Sequence, residues 1–535
     1  MRWGRLLVGG LLIATGCKSS SNGNQTPDAD ADVLASTCGD GTLDPNETCD
    51  PPDSCPAACA DGDVCTKDVI AGSAASCNVA CASTPITTCG GQDGCCPSGC
   101  DSNSDADCPP PAGTALKDRL TVTTTTTPAG ALAAGSAYRI WNASNGQQSL
   151  KVMPVFTVPF ADCGTLVGYT TGTAAAPRAR VARLDAGDAL VTTYDLGQYV
   201  LRGLAAEPDG HFAALLWDIS TTPKSLKLIR YASNGAAGTT ATLPTTNVAP
   251  TDFSIGESRL EYDVPNNRYG AYFHVHGTNP SYFAYGHEGD MLAWVDKSAG
   301  TVSLGWEWGC SHSMSELLRY SPAANATLPV CVTDCYPGTT GSNFATGSIG
   351  GLYLNHDQTK VRDFDGGCNG SVAAELGGAA PGVAGWKLVF NGHQNAAAMG
   401  QSSYSTSTMN QDIGFISVAN NKSLSGSIVW LTTTTANEAN STIARWQPMG
   451  GTGEQYVVGW SAGSTFNLAR ITDTGTIVEG PTAITTAKWG ERDDPFRTHL
   501  NSDIVWAWFD SAGSTTLKLA RLRSGGTAAS CAALP

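Results

Sequence analysis

From residue 116 to residue 535, short runs in which apolar and polar positions alternate are separated by clusters of Gly, Ser, Thr and Asn. Period-two alternation puts every second side chain on one face of an extended strand, so this body is predicted to be all β. One unit recurs along it. Thr165-Leu-Val-Gly-Tyr169 leads into Val181-Ala-Arg183-Leu, and His211-Phe-Ala-Ala-Leu-Leu-Trp217 into Leu226-Lys-Leu-Ile-Arg230. Tyr456-Val-Val-Gly-Trp460 leads into Leu468-Ala-Arg470-Ile, and Ile504-Val-Trp-Ala-Trp508 into Leu517-Lys-Leu-Ala-Arg521. Each copy is a strand ending in an aromatic, a hairpin loop, and a strand ending in Arg. The aromatic and the Arg are 14, 13, 10 and 13 residues apart in chain order. Separations of 48 residues, or multiples of roughly that size, fit the blades of a β-propeller. Ala271-Tyr-Phe-His274-Val-His276 and Lys387-Leu-Val-Phe390-Asn look like degenerate copies, with an irregular stretch near Leu352-Tyr-Leu354. Counting these gives seven blades; six or eight are compatible with the spacing, and a pair of β-sandwiches is the alternative fold.

The N-terminal residues break this pattern. Arg2 and Arg5 precede an apolar stretch from Leu6 to Ile13 and then Ala14-Thr15-Gly16-Cys17. A basic start, a short apolar run and small residues before the break make a secretory signal. The run is far shorter than the ~20 residues a spanning helix needs. The segment resembles a bacterial lipobox, with Ala14 where that pattern usually has Leu. The resemblance implies removal of residues 1–16 and lipidation of Cys17, so that the protein meets the membrane through a lipid anchor. Residues 18–37 offer little to bury and are expected to form a flexible tether. Lys18, rather than Asp, follows the anchor cysteine, which favours the outer membrane or cell surface.

Cysteine usage divides the chain again. Of 19 cysteines, twelve lie between Cys38 and Cys108. With few aromatics or long aliphatics there, crosslinks must replace a core, and an exported chain with no histidine in the segment favours disulfides over zinc. Cys38-Gly-Asp-Gly-Thr-Leu-Asp-Pro-Asn-Glu-Thr-Cys49-Asp resembles the opening of the Myxococcus-type cysteine-rich repeat. Gly94-Cys95-Cys96-Pro-Ser-Gly-Cys100, running on to Cys108, is similar to its companion modules. The resemblance implies a stalk or adhesion module over 38–108, and Asp40, Asp44, Asn46, Glu47 and Asp50 are candidate calcium ligands there. Pro109-Pro110-Pro111 begins a stiff linker, 109–115, before the body. Of the six later cysteines, Cys163 and Cys531 lie near the two ends of the body, where a bond between them would lock a ring. Cys310, Cys331, Cys335 and Cys368 fall in or beside the irregular blades.

The net charge of −16 comes with no basic stripe, which excludes nucleic acid as a partner. Candidate chemistry gathers where the repeat breaks, because the scaffold alone does not require those departures. His274 and His276 share a strand face, and His287, Glu288, Asp290 and His312 follow in the same irregular region. They are candidate ligands or acid–base groups, with His274, His276 and His287 able to hold zinc or another divalent ion such as calcium. Trp306 and Trp308 are a candidate sugar-stacking platform, and His393 occupies the corresponding strand end one irregular blade later. The bland alternative is that a disulfide from Cys310 staples a long loop and the histidines bond backbone carbonyls. No nucleophile elbow, phosphate-binding glycine loop or helical His-Glu-x-x-His is present. Recurring acid and Arg positions, at Asp493 and Asp494 and at Glu438 with Arg445, read as inter-blade ion pairs. The expectation is a lipid-anchored surface protein that binds an extracellular glycan or protein through its irregular blades. The alternative is a glycan lyase or hydrolase built on the His/acid cluster.

Overall fold

A computed structural model describes residues 38–88, 93–97, 100, 107–108, 115–133, 153–244, 254–279, 283–309, 313–333, 350–356, 359–364, 366–367, 371–372, 374–394, 410–447, 453–490 and 494–525. The chain divides into two compact units, Met1–Thr84 and Pro85–Pro535.

The first unit is held by bonds rather than by a core. Disulfides join Cys38 to Cys77, Cys49 to Cys55 and Cys59 to Cys81, around a two-stranded sheet of Thr66–Ala71 and Ala80–Pro85. A fourth, Cys96 to Cys108, follows in the second unit. Three of the four acidic residues of the opening motif accept backbone amides. Asp50 accepts the amides of Gly39 and Gly41, Asp40 that of Thr42, and Glu47 that of Asp44.

The second unit is a seven-bladed β-propeller. Seven four-stranded antiparallel sheets each run as a meander, and their first strands pack side by side around the axis. Those inner strands are Phe156–Pro159, Val200–Ala206, Ser254–Asp263, Ser313–Ser321, Ala374–Pro381, Glu438–Arg445 and Arg497–Thr498. The recurrent hairpins of the sequence are the second and third strands of blades one, two, six and seven. In blade four, Leu352–Leu354 belongs to the third strand, and the second is Ala326–Thr333. Chain closure comes from Leu120–Thr126, which pairs with Thr516–Leu522 as the outer strand of blade seven. Glycine permits the closest approaches between inner strands. A Cβ on Gly378 would stand 2.9 Å from the Ile443 amide of the next blade.

A blade cannot bury both of its faces alone, so its stability lies in the seams. Each seam holds one apolar cluster, for example Phe156, Val181 and Leu216 between blades one and two and Val330, Trp386 and Phe390 between blades four and five. Among the described residues, every such cluster has eleven or more buried members except that between blades three and four, which has five.

In three of the four repeats the Arg is tied to an acid ahead of the second strand of its own blade, while Arg470 of blade six pairs instead with Glu479 on that blade's outer strand at 3.0 Å. Arg183 reaches Asp162 at 2.7 Å, Arg230 reaches Glu207 at 2.5 Å and Arg521 reaches Asp503 at 3.3 Å, each acid lying in the turn between the first two strands. The expected inter-blade pairing holds for Asp494, which meets Arg319 of blade four at 2.8 Å and Arg259 of blade three at 3.2 Å. It does not hold for Glu438, which accepts the hydroxyls of Thr432 and Thr434, nor for Arg445, which pairs with Glu454 of its own blade.

Candidate functional site

In a four-stranded meander, the connection from second to third strand and the crossing to the next blade both lie where the inner strand begins. Five of the second-to-third connections are short: 174–175, 219–224, 280–282, 463–464 and 510–515. In blades four and five they run over 334–349 and 393–411. The two long connections therefore leave and re-enter the propeller at the same end, in the adjacent blades four and five.

The seam between blades three and four is polar. On the second strand of blade three, Arg268–Asn279, Phe273 and Val275 enter the cluster shared with blade two, while Tyr272 enters that shared with blade four. His274 follows Tyr272 by two residues and takes the same face. Asp290 stands directly opposite His274 on the third strand, Phe283–Asp296. Trp306 comes from the fourth strand, Val302–Gly309, and Glu316 from the inner strand of blade four.

Tyr272, His274, Asp290 and Glu316 are all buried. The Tyr272 hydroxyl donates to Asp290 Oδ2, and Trp306 Nε1 donates to Asp290 Oδ1 at 2.8 Å. His274 Nδ1 lies 3.3 Å from Glu316 Oε1. Neither Glu316 oxygen has a hydrogen-bond partner among the described residues. Burial, reinforced by the Glu316 charge, raises the Asp290 carboxyl to about 7 in spite of its two hydrogen bonds. Burial and the same Asp290 charge push the Tyr272 phenol well above its ordinary value. Two carboxyl groups in one seam are thus held differently: Asp290 is raised toward neutrality while both its oxygens accept hydrogen bonds, and Glu316 faces an imidazole.

The candidates from the sequence separate. His274 and Asp290 stand opposite each other on paired strands. Trp306 is not an open platform, because its N–H is committed to Asp290 and its ring meets Tyr272 and His356 edge-on at 5.6 and 5.1 Å. The backbones of His276 and Glu288 pair, as do those of Gly277 and His287, but the side chains of His276, His287, Glu288 and Trp308 lie outside the described residues. Cys17, His312, Cys310, Cys335, Cys368 and Cys531 lie outside them altogether. Cys163 and Cys331 are both disulfide-bonded. His393 lies in blade five, where its Nδ1 is 2.7 Å from the Asn410 carbonyl oxygen at the other end of the same connection. Tyr272 and Glu316 went unread because nothing in their immediate sequence sets them apart from strand residues.

Two other clusters carry no open chemistry. On the axis, a cavity of about 220 Å³ is lined by all seven inner strands, but the Arg319 guanidinium beside it is committed to Asp494, Glu261 and the Ala379 carbonyl. In the first unit, Cys38, Asp50 and Cys77 are the one group among the described residues with three metal-ligating atoms in mutual reach, yet both sulfurs are joined in a disulfide. No helix among the described residues is long and apolar enough to cross a membrane.

No protein-family model matches the chain, and no curated protein sequence is similar to it. Among solved structures it is similar to a polysaccharide lyase, at 8% identity and a TM-score of 0.42 over 75% of this chain and 99% of that one. It is similar to an α-L-arabinanase of Penicillium chrysogenum complexed with arabinobiose, at 12% identity and a TM-score of 0.36 over 75% and 98%. The β-propeller domain of the trilobed protease of Pyrococcus furiosus gives 8% identity and a TM-score of 0.37 over 68% and 92%.

Proposed function

We propose that this protein is an exported lipoprotein, anchored through Cys17, whose propeller recognises an extracellular glycan or surface protein at the face where the inner strands begin. The disulfides of the first unit support an oxidising compartment. The observation that carries the binding reading is that the longest second-to-third connections, in blades four and five, leave the propeller at the end where the inner strands begin, beside the seam between blades three and four, whose apolar cluster is the smallest among the described residues. Loops on a rigid scaffold are where recognition is usually placed. The test is binding of the full-length protein to glycan arrays and to surface extracts, against a variant in which 395–409 is replaced by a short Asn-Gly turn. Loss of binding in a variant that melts normally is expected, and unchanged binding would sink the reading. Labelling with a radioactive fatty acid, abolished by Cys17→Ser, tests the anchor separately.

A second reading, turnover of a glycan, is favoured by one specific observation. Asp290, paired opposite His274 and in one seam with Glu316, is raised toward neutral pH, a range that acid–base catalysis can use. A polysaccharide depolymerisation screen, run with the Asp290→Asn protein in parallel, decides it. Release of oligosaccharide by the native protein and not by the variant supports turnover; no release from any substrate removes it.

A further inference from the structure

A second cavity lies at the opposite end of the blades. It occupies about 780 Å³ between blades five and six, beside the turns 382–385, 419–423 and 473–476 where the inner strands end. Its floor is Lys387, on the second strand of blade five, Trp386–Gly392. That residue is 8% exposed, and its ammonium donates to Ser417 Oγ at 2.9 Å. Among the described residues no carboxylate pairs with it. An ammonium has three protons to donate and is costly to bury without a counter-charge, so two donors and one positive charge are left facing the cavity.

The backbone opens the cavity deliberately. Phe415 pairs with Val429 and Ser417 with Ser425, so two residues of the third strand, Asp412–Val418, face four of the outer strand, Leu424–Trp430. Gly426 absorbs this bulge at φ +87°, with open space on its Cβ side. A bulge of this kind re-aims an edge strand away from its partner, and here it turns Ser425 and Ser427 toward the cavity. Val429 supplies an exposed apolar wall, and Asp473 of blade six faces the cavity from the other side.

We propose that this crevice binds a small polyhydroxylated carboxylate, a sugar acid, with its carboxylate on Lys387. The serine hydroxyls suit ring hydroxyls, and Val429 suits the C–H face of a pyranose. Asp473 accepts from a hydroxyl and sets the site against ligands carrying more than one negative charge, such as phosphate. The volume lies within the range that takes a mono- or disaccharide. The site is remote from the seam between blades three and four and does not depend on the reading given to it.

The experiment is calorimetric titration of the full-length protein with D-glucuronate, D-glucose and inorganic phosphate, on native protein, Lys387→Met and Asp473→Asn. Glucuronate is expected to bind, glucose and phosphate to bind more weakly, and Lys387→Met to weaken glucuronate by about 10- to 100-fold, the loss of a charged hydrogen bond. Asp473→Asn is expected to tighten it. Methionine keeps the buried stem and removes only the charge, so Lys387→Met should melt no lower than native protein, and its result reads on binding. Absence of glucuronate binding at millimolar concentration, equal binding by Lys387→Met, or tighter binding of phosphate overturns the proposal.

Discussion

The seam that closes the ring and the seam between blades three and four both bury two carboxylates, yet they handle them in opposite ways. At the closure, Arg521 donates through Nε at 3.1 and 2.9 Å to the two oxygens of Asp188, in the first blade, and through Nη1 to Asp503 at 3.3 Å. The Ser524 amide and hydroxyl complete Asp503 at 2.7 and 3.0 Å. Every carboxylate oxygen there has a donor. Between blades three and four no Arg or Lys joins Asp290 and Glu316 among the described contacts, Glu316 meets only the His274 ring, and Asp290 is left poised near pH 7. Matched charge at one seam ties the ring's ends together; at the other, among the described residues, the two carboxyl groups share no cation. Buried ionisable groups whose environments push them off their ordinary range are characteristic of functional sites.

The largest effect should come from breaking the matched seam. Arg521→Met leaves Asp188 and Asp503 buried without their cation, which is expected to destabilise by about 3–5 kcal/mol and to lower Tm by about 6–10 °C. Glu316→Gln, which removes a charge that had no full partner, is expected to stay within about 1 kcal/mol of native stability or to exceed it. Chemical and thermal unfolding of the two variants side by side give the contrast. A Glu316→Gln loss as large as that of Arg521→Met would mean that the two seams do the same job.

The sequence carried the regular blades better than it carried the site, and it did not mark Leu120–Thr126 as the strand that closes the ring. Blades one, two, six and seven announce themselves because each sets an aromatic on its second strand and an Arg on its third, at similar spacing. Blade four was harder, since its second strand, Ala326–Thr333, lacks the terminal aromatic and its recognisable apolar stretch belongs to the third. His274 and Asp290 were legible because they interrupt a repeat. Glu316 was not, because its meaning depends on which blade lies against it: it stands 42 residues beyond His274, and only the turn of the ring brings the two to 3.3 Å. Trp306 misled for a related reason. An aromatic next to polar residues reads as exposed in one dimension, while in three its N–H is consumed by Asp290.

The two seams should also respond to pH in opposite directions, with smaller amplitude. Asp290 has a folded value near 7 against an ordinary 3.8, so the folded state holds an extra proton. Its contribution to stability is complete below about pH 4 and is lost as pH rises through about 7. His499 lies at the closure, with Nε2 3.1 Å from Thr165 Oγ1, and burial, aided by Arg521, holds it well below its ordinary 6.5. Its contribution is present above about pH 6.5 and is lost as pH falls below that. Hydrogen exchange at about pH 5 and about pH 8 should show strands Arg268–Asn279 and Ser313–Ser321 less protected at the higher pH, and Ile504–Phe509 less protected at the lower. Asp290→Asn should abolish the first trend and leave the second. Parallel trends at both seams would erase the distinction.

The smallest expected effect is that of removing divalent metal. His274, Asp290 and Glu316 have the donor chemistry zinc prefers, but their ligating atoms do not come into mutual reach of one another as a triad. A metal held by Glu316 would neutralise the charge that helps raise Asp290, and would bring this seam closer in character to the closure, where a cation is already in place. Exhaustive dialysis against a chelator is therefore expected to leave Tm within about 1 °C of its starting value. Elemental analysis of the undialysed protein should then give substoichiometric zinc and calcium. A fall of several degrees, restored by zinc and absent in Glu316→Gln, would show instead that the seam is completed by a cation and that its unmatched charge belongs only to the metal-free state.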